Sequence, residues 1–241
     1  MIPGGPLTSR KFQSLDRIVS RVKAISRWHI ENRILRLYLR PEYSGKVARE
    51  GNWIVPEEIL GSSSICYCAG VGEDLDFELM LVSRFDANVY AFDPTPRAIQ
   101  FVRKIVSGAG KLQFLPLGVW SRDETLRFYA PENPEHVSHS VVASTSSRSY
   151  FDAPCRRIST LMSEHGHNKI DLLKMNIEGA EYEVLQSLLS DKLYPRAICL
   201  TFEGSSALRQ AILWTRRLRL CGYQLAGLQQ WAATFVRLSA S

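Results

Sequence analysis

SICYCAGVGED, residues 64–74, is the stretch of this chain that says most about its fold. Ser64–Cys68 is apolar enough for a buried strand, and the turn that follows holds Gly70 and Gly72. Glycine has no Cβ, so the backbone of such a turn can approach a ligand closely. A helix is predicted over Asp74–Phe85. A turn between a parallel strand and a helix lies at the carboxyl edge of the sheet, where α/β proteins bind ligands.

A second stretch, NVYAFD at residues 88–93, supplies the partner that such a site needs. It predicts a strand over Asn88–Phe92 that ends at Asp93. Asp93 stands about 20 residues after Gly72, and an acid at this spacing can accept hydrogen bonds from ribose hydroxyls. A Gly-x-Gly turn alone also closes ordinary strand–helix junctions, so the combination with Asp93 favours a cofactor site. The third glycine of a dinucleotide fingerprint is missing, and Asp74 begins the predicted helix. An acid there disfavours a pyrophosphate but tolerates a sulfonium, which favours S-adenosylmethionine over NAD.

The rest of the chain continues the alternation of strands and helices. Further strands are predicted over Leu112–Leu117, Leu126–Tyr129, Ile170–Ile177 and Ala197–Phe202, and further helices over Pro96–Val106, Ile158–Glu164, Gly179–Leu189 and Ala207–Leu220. Such alternation is typical of a mostly parallel sheet built from right-handed βαβ units. The last two predicted strands, Tyr223–Leu228 and Thr234–Leu238, are separated by a short turn and predict an antiparallel hairpin at one edge. Residues 131–150 predict a long loop.

The N-terminal segment differs in charge from the rest of the chain. Residues 1–50 hold eleven Lys or Arg and four acids, a net charge of +7. The remaining residues sum to −1, so the net charge of +6 comes from this segment. Its apolar residues recur at helical spacing from about Lys11 to Leu39, which predicts a basic helical extension before a domain over residues 51–241. The extension packs on the domain or lies on an anionic membrane surface or a protein partner. Because the remainder carries no excess of cations, no nucleic-acid partner is expected.

The composition, with 45% hydrophobic and 22% charged residues, is that of a globular protein. No run approaches the roughly 18 apolar residues of a membrane span, and no signal peptide is recognisable, so a cytoplasmic protein is expected. The five cysteines match no zinc site, and disulfides are not expected in that compartment.

The run "IVPEEIL…SICYCAGVGEDLDFEL…VYAFDPTPRAI", followed by "IDLLKMNIEGAEYEVLQSLL", resembles the FkbM family of S-adenosylmethionine-dependent methyltransferases over residues 53–228. The resemblance implies a Rossmann-like class I methyltransferase fold with a seven-stranded sheet. It implies O-methylation of a hydroxyl on a sugar, glycan or natural product. It also implies a set of cofactor-binding residues: Gly70, Gly72 and Glu73 on the methionine and ribose side, Asp93 at the ribose hydroxyls, Pro94, Thr95, Gly118 and Val119 around the adenine, and Asn176.

Two positions depart from the pattern of the family. Cys68 stands where class I enzymes often have an acid just before the glycine turn, which weakens the expected contact to the methionine amino group. Asn176 stands where the family motif KxDxEGxE has an aspartate. An amide is a poorer cation ligand than a carboxylate, so no metal is expected.

Methyl transfer to a hydroxyl benefits from a general base, and the sequence offers few candidates. Glu178 and Glu203 each follow a predicted strand and border the carboxyl edge; Glu178 also fits an ordinary helix start, where acids complement the helix dipole. His139, on the predicted loop, is a third candidate because histidine titrates near neutrality. Two other functions remain open from the residues alone: a non-catalytic cofactor-binding scaffold and a nucleotide-dependent oxidoreductase on the same fold.

Overall fold

The computed structural model describes residues 33, 35, 39–105, 110–129, 150–204 and 206–238. The chain divides into two compact units, of which the second is Pro41–Ser241. Residues 41–50, which the sequence analysis grouped with the N-terminal extension, thus belong to the second unit. The predicted helical extension lies almost wholly outside the described residues, as do His139 and nearly all of the predicted loop, and these stay predictions. No described helix has the length and apolar character needed to cross a membrane.

Twelve strands, five α-helices and one short 3-10 helix, Glu57–Ile59, make up the described part of the second unit. The strands are β1 Val47–Glu50, β2 Trp53–Pro56, β3 Ile65–Ala69, β4 Asn88–Phe92, β5 Leu112–Leu115, β6 Gly118–Val119, β7 Glu124–Tyr129, β8 Tyr150–Arg156, β9 Leu172–Met175, β10 Ala197–Thr201, β11 Tyr223–Gln229 and β12 Ala232–Arg237. The helices are α1 Asp76–Phe85, α2 Pro96–Ile105, α3 Ile158–Glu164, α4 Glu181–Ser190 and α5 Ala207–Leu220.

Seven of these strands form the central sheet, in the order β11-β12-β10-β9-β3-β4-β5. The pairs β10–β9, β9–β3, β3–β4 and β4–β5 are parallel, whereas β12 runs antiparallel to both β10 and β11. This confirms the predicted class I arrangement with an antiparallel hairpin at one edge. The strand order reverses between β3 and β9, so the glycine turn after β3 and the segment after β9 lie side by side at the carboxyl edge.

Two smaller sheets were not predicted. Strands β1 and β2 form an antiparallel hairpin, and β6, β8 and β7 form a three-stranded sheet in which β8 is the middle strand. Strand β8 was not predicted for two reasons. The sequence before it contains many Ser and Pro residues, and its partner β7 lies a long connection earlier in the chain. The three-stranded sheet matters for function, since its inner side chains Leu126, Phe128 and Cys155 face the ligand cleft described below.

Two predicted helices begin later than expected for the same physical reason. The first begins at Asp76, not Asp74, because residues 70–74 form the turn, with Gly70 at φ 82° and Gly72 at φ 62°. The helix expected from Gly179 begins at Glu181, because Glu178 and Gly179 have φ values of 56° and 94°. A right-handed helix excludes positive φ, so the chain at both places is committed to a turn that precedes the helix.

The core between α1 and the sheet is apolar and includes two cysteines. Cys66 and Cys68 on β3 are fully buried with Leu81 of α1 and Val89 of β4. The cysteines are free thiols, and burial raises the pKa of the Cys66 and Cys68 thiols well above the ordinary value. Buried thiols of this kind behave as small hydrophobic side chains.

Candidate active site

The glycine turn is held against two neighbouring strands through its backbone. The Gly70 amide donates a hydrogen bond to the Phe92 carbonyl oxygen (2.9 Å), and the Asn176 amide donates to the Ala69 carbonyl oxygen (3.0 Å). A Cβ at Gly70 would overlap the carbonyl oxygen of Asn176, whereas a Cβ at Gly72 would meet no atom within 4 Å. Gly70 is therefore required by packing. Gly72 lines open space, which leaves its backbone accessible to a ligand.

Asp93 ties the end of β4 to the glycine turn. Its Oδ2 accepts a hydrogen bond from the Gly72 amide (2.8 Å), and its Oδ1 accepts from the Thr95 amide (2.8 Å) and from the Thr95 hydroxyl (2.6 Å). A carboxylate oxygen can accept about two hydrogen bonds, so Oδ2 retains one free position and Oδ1 has none. Asp93 lines the cleft although its side chain is nearly buried. It can thus bind one further donor while shaping the turn.

A cleft opens between the glycine turn, the Asp93 loop and the three-stranded sheet. It encloses about 850 Å3 of empty space, including open solvent at its mouth. The wall opposite the turn contains Gly118, where a Cβ would lie 3.4 Å from Phe128 Cζ and 3.6 Å from Pro94 Cγ and would press on the Cys155 sulfur. Glycine at this position therefore lets β6 pack closely against the Cys155 side chain of β8. The lining residues that the sequence did not suggest are Val71, Phe92, Trp120, Leu126, Phe128, Cys155, Ile177 and Ala180.

The charge of the cleft suits a cationic ligand. Among the described residues that line it, Asp93 and Glu178 carry charge, and no Lys or Arg does. An adenosyl group that carries a sulfonium fits the glycine backbone, the free acceptor position on Asp93 and the apolar wall. A pyrophosphate in the same cleft would face two carboxylates. Glu73 does not line the cleft. Its carboxylate pairs with Arg97 (2.6 Å), which joins the starts of α1 and α2 at the surface.

The segment after β9 forms an acidic edge, defined here as Asn176–Glu181. Glu178 and Gly179 adopt left-handed backbone, which is unfavourable for a glutamate. The Glu181 carboxylate braces this conformation by accepting hydrogen bonds from the amides of Ile177 (2.8 Å) and Gly179 (2.8 Å). Glu181 is fully buried, and burial raises the pKa of its carboxyl although these hydrogen bonds oppose the rise. The acid that stabilises the start of the helix is therefore Glu181, and Glu178 faces the cleft.

Glu178 and Glu203 come together from the ends of adjacent strands. Their carboxyl groups lie within reach of a hydrogen bond that a protonated Glu203 can donate to Glu178. Burial, followed by the negative charges of Glu178 and Glu181, raises the pKa of the Glu203 carboxyl to about 8. Glu203 is therefore protonated at neutral pH and donates to Glu178, because two carboxylates this close cannot both remain ionised. The Glu203 amide donates to the Tyr182 hydroxyl oxygen (3.2 Å), which fixes the start of the loop after β10.

A family model described as the methyltransferase FkbM domain matches residues 64–225, well over half of the chain. The chain belongs to the FkbM methyltransferase family. The domain is thus of the S-adenosylmethionine-dependent type, which confirms the predicted cofactor and decides against the oxidoreductase alternative. The matched range contains both the glycine turn and the acidic edge.

Two kinds of similar protein accompany the family match. The human protein described as probable methyltransferase-like protein 24 is 26% identical over 138 residues, which are 57% of this chain and 31% of that protein. The chain thus spans about a third of this relative's length. An rRNA methylase of Streptococcus thermophilus is 14% identical, with a TM-score of 0.43 over 76% of this chain and 92% of that one. A putative methyltransferase of Streptococcus mutans in complex with SAH is 11% identical, with a TM-score of 0.44 over 76% and 93%.

Asn176, the departure from the FkbM motif, is the first residue of the acidic edge and packs against Gly70 of the turn. Its side-chain Oδ1 is 2.9 Å from the Thr201 hydroxyl, which also lies 3.2 Å from Glu181 Oε1. The side-chain oxygen of Asn176 thus accepts a hydrogen bond from Thr201 and joins the ends of β9 and β10. Within the described ranges, no group of three or more His, Cys, Asp or Glu side chains is arranged to hold a metal ion.

Proposed function

We propose that this chain transfers a methyl group from S-adenosylmethionine to a hydroxyl of a sugar, glycan or other natural product, with Glu178 as the general base. The observation that supports it best is the Glu178–Glu203 carboxyl pair at the edge of the cofactor cleft. Family membership supports the methyl transfer, and the carboxyl pair supports a hydroxyl as its acceptor.

The cofactor would be held by the residues that the sequence singled out. The Gly70–Gly72 turn gives backbone access, the free acceptor position of Asp93 suits a ribose hydroxyl, and Thr95 stabilises Asp93. Pro94, Gly118 and Val119 form the apolar wall suited to an adenine. When bound, S-adenosylmethionine supplies an electrophilic methyl group: the acceptor oxygen forms a bond to the methyl carbon while the carbon–sulfur bond breaks.

Glu178 is the residue of the pair that lines the cleft, and the pKa of its partner Glu203 is raised to about 8. Its carboxylate can therefore take the proton that an acceptor hydroxyl loses. Glu203, with its raised pKa, keeps its own proton and would hold the Glu178 carboxylate in place by donating to it. Glu181 keeps the backbone turned so that Glu178 faces the cleft.

The acidic edge also narrows the class of acceptor. A phosphorylated or carboxylated acceptor would bring a second negative charge next to Glu178, with no cation among the described lining residues to offset it. A neutral hydroxyl avoids this repulsion and provides the proton that Glu178 accepts. An amine acceptor is the main competing class, since a cation would be attracted to the same edge.

The test is an assay of S-adenosylhomocysteine release with neutral sugars, glycans and phenolic or alcoholic natural products, with amines and phosphorylated sugars as separate arms. We expect turnover with a neutral hydroxyl acceptor and its loss in Glu178→Gln. Glu183→Gln is the matched control, because Glu183 is an exposed acid on α4, the helix that follows Glu178. Turnover with amines alone would contradict O-methylation, and cofactor binding without turnover in any arm would favour a non-catalytic scaffold. His139→Ala is assayed beside them, since His139 remains a predicted base.

A further inference from the structure

Lys174 is a buried cation directly behind the glycine turn. It lies on β9 between Cys68 and Cys199 of the adjacent strands, and its side chain is 6% exposed. Its Nζ lies 2.9 Å from Glu78 Oε1 on α1 and 3.4 Å from the Gly70 carbonyl oxygen. Three elements, β9, α1 and the turn after β3, therefore meet at one ammonium group.

The Lys174–Glu78 ion pair is buried on both sides. The Glu78 side chain is 1% exposed, and within the described part of the chain its Oε2 has no hydrogen-bond partner. Burial is the largest single influence and lowers the pKa of the Lys174 ammonium, but the charge and hydrogen bond of Glu78, together with Cys68 and Asp74, outweigh it, so this pKa is raised above its ordinary value. The rings of Trp53 and Phe77 complete the surroundings of Nζ at 5.8 and 5.4 Å.

Stability alone is a poor reason for such a pair. A buried ion pair can often be replaced by apolar side chains of similar volume with no loss of stability, because removing two charges from water is unfavourable. An ion pair at this place does something that apolar residues cannot do: it supplies a donor to the Gly70 carbonyl. Gly70 begins the turn, and the accessible backbone of Gly72 follows it two residues later.

We infer that Lys174 is a positioning residue of the cofactor site: held by Glu78, its ammonium fixes the Gly70 carbonyl and so sets the orientation of the Gly70–Gly72 turn. The inference rests on the cofactor site proposed above. It also explains why Cys68 departs from the class I pattern. Cys68 is the neighbour of Lys174 across the sheet, and an acid there would add a second buried anion beside Glu78 with one ammonium to balance both.

The experiment measures the affinity of S-adenosylhomocysteine by calorimetry and the thermal unfolding of the same variants. Lys174→Met leaves Glu78 buried and unpaired, so it is expected to lower both stability and affinity. The double variant Lys174→Met/Glu78→Met removes both charges and is expected to recover stability. Its affinity should stay about tenfold below that of the parent, a ratio that corresponds to ~1.4 kcal/mol. The Gly72 amide, which donates to Asp93, should also exchange its hydrogen faster in this variant.

Lys169→Met is the matched control. Lys169 also pairs with a buried carboxylate, that of Asp171 (3.1 Å), but this pair lies before the start of β9, at the end away from the glycine turn. It is expected to keep the parent affinity. Parent affinity in a double variant of parent stability would overturn the inference, as would an equal loss of affinity in Lys169→Met. If the double variant does not fold, Lys174→Gln replaces it: its side chain is one bond shorter, and parent affinity in that variant would equally overturn the inference. Because binding is measured without an acceptor, none of these results depends on the proposed hydroxyl chemistry.

Discussion

The glycine turn and the acidic edge follow adjacent strands of the sheet, and the protein holds each of them in a different way. The turn after β3 is fixed by backbone hydrogen bonds, by the packing of Gly70 against Asn176 and by the Asp93 carboxylate. The edge after β9 places a glutamate in left-handed backbone and depends on the buried Glu181 side chain to keep it there.

The difference has a physical consequence. Glycine adopts positive φ without strain, so the turn is low in energy and its shape follows from its composition. A non-glycine residue in the same region costs on the order of 1 kcal/mol, which the surroundings must offset. The cofactor end is thus shaped by backbone, whereas the reacting end is shaped by side chains that are buried and mutually dependent. The two ends should therefore respond differently to substitution.

The largest effect is expected at the reacting end. Glu178→Gln keeps the size of the side chain but removes its ability to accept a proton, and loss of a general base typically lowers kcat by about 10²–10⁴. Affinity for S-adenosylhomocysteine should be unchanged, because the turn does not depend on Glu178. The measurement is kcat with a found acceptor beside calorimetry. A parent-like kcat in Glu178→Gln would assign proton removal elsewhere, with His139 the next residue to test.

At the cofactor end the expected effect falls on binding instead. Asp93→Asn removes the charge that would meet the ribose and weakens the bonds to Gly72 and Thr95, each charge-assisted bond contributing about 1.5–3 kcal/mol. Cofactor affinity should fall by at least about tenfold. Thr95→Val is the control, because it removes the hydroxyl bonds to Asp93 and from the Ala98 amide but keeps the charge of Asp93, and it should weaken binding much less. Unchanged affinity in a folded Asp93→Asn variant would remove Asp93 from the ribose site.

Glu181→Gln tests whether the edge depends on its brace. An amide cannot accept from two backbone N–H groups as a carboxylate does, so about 1–3 kcal/mol of stability should be lost, together with activity. Chemical denaturation measures the stability, and Glu183→Gln on the same helix should leave it unchanged. A Glu181→Gln variant with parent stability and parent kcat would show that the left-handed turn is held by other contacts.

The shared proton of the carboxyl pair predicts a dependence of stability on pH. The pKa of Glu203 is raised from its ordinary value of 4.5 to about 8, so the folded state binds a proton that the unfolded state releases. Its contribution to stability is complete below about pH 4.5 and is lost as the pH rises through about 8. Glu203→Gln should remove that part of the decline in melting temperature. If parent and variant decline in parallel between these pH values, Glu203 does not hold the proton.

The smallest effect is expected outside both regions. A chain that begins at Pro41 keeps β1 and the ion pair between Glu42 and Arg219, and should bind S-adenosylhomocysteine with parent affinity. The basic segment before it remains a predicted contact for a membrane surface or a protein partner. Loss of cofactor binding in a folded truncated chain would contradict the separation between this segment and the cofactor site.

Several features of the site followed from local sequence alone. Gly70, Gly72 and Asp93 stand at strand ends that short apolar runs identify, and the βαβ alternation brings such ends to one edge. The same reasoning placed Glu178 and Glu203 near each other. Their hydrogen bond and shared proton were not accessible in this way, because they depend on how far β9 and β10 extend and on the left-handed backbone at Glu178.

The sequence by itself determined the family, the succession of strands and helices along the chain and the cofactor turn, because each is encoded in contiguous runs whose residues act on their near neighbours. Only the tertiary structure decided the rest of the site. The apolar wall with Phe128 and Cys155 comes from a sheet whose strands are far apart in the chain, and the Lys174–Glu78 pair joins a strand to a distant helix. Such contacts depend on packing in three dimensions, and no periodicity or spacing along the chain records them.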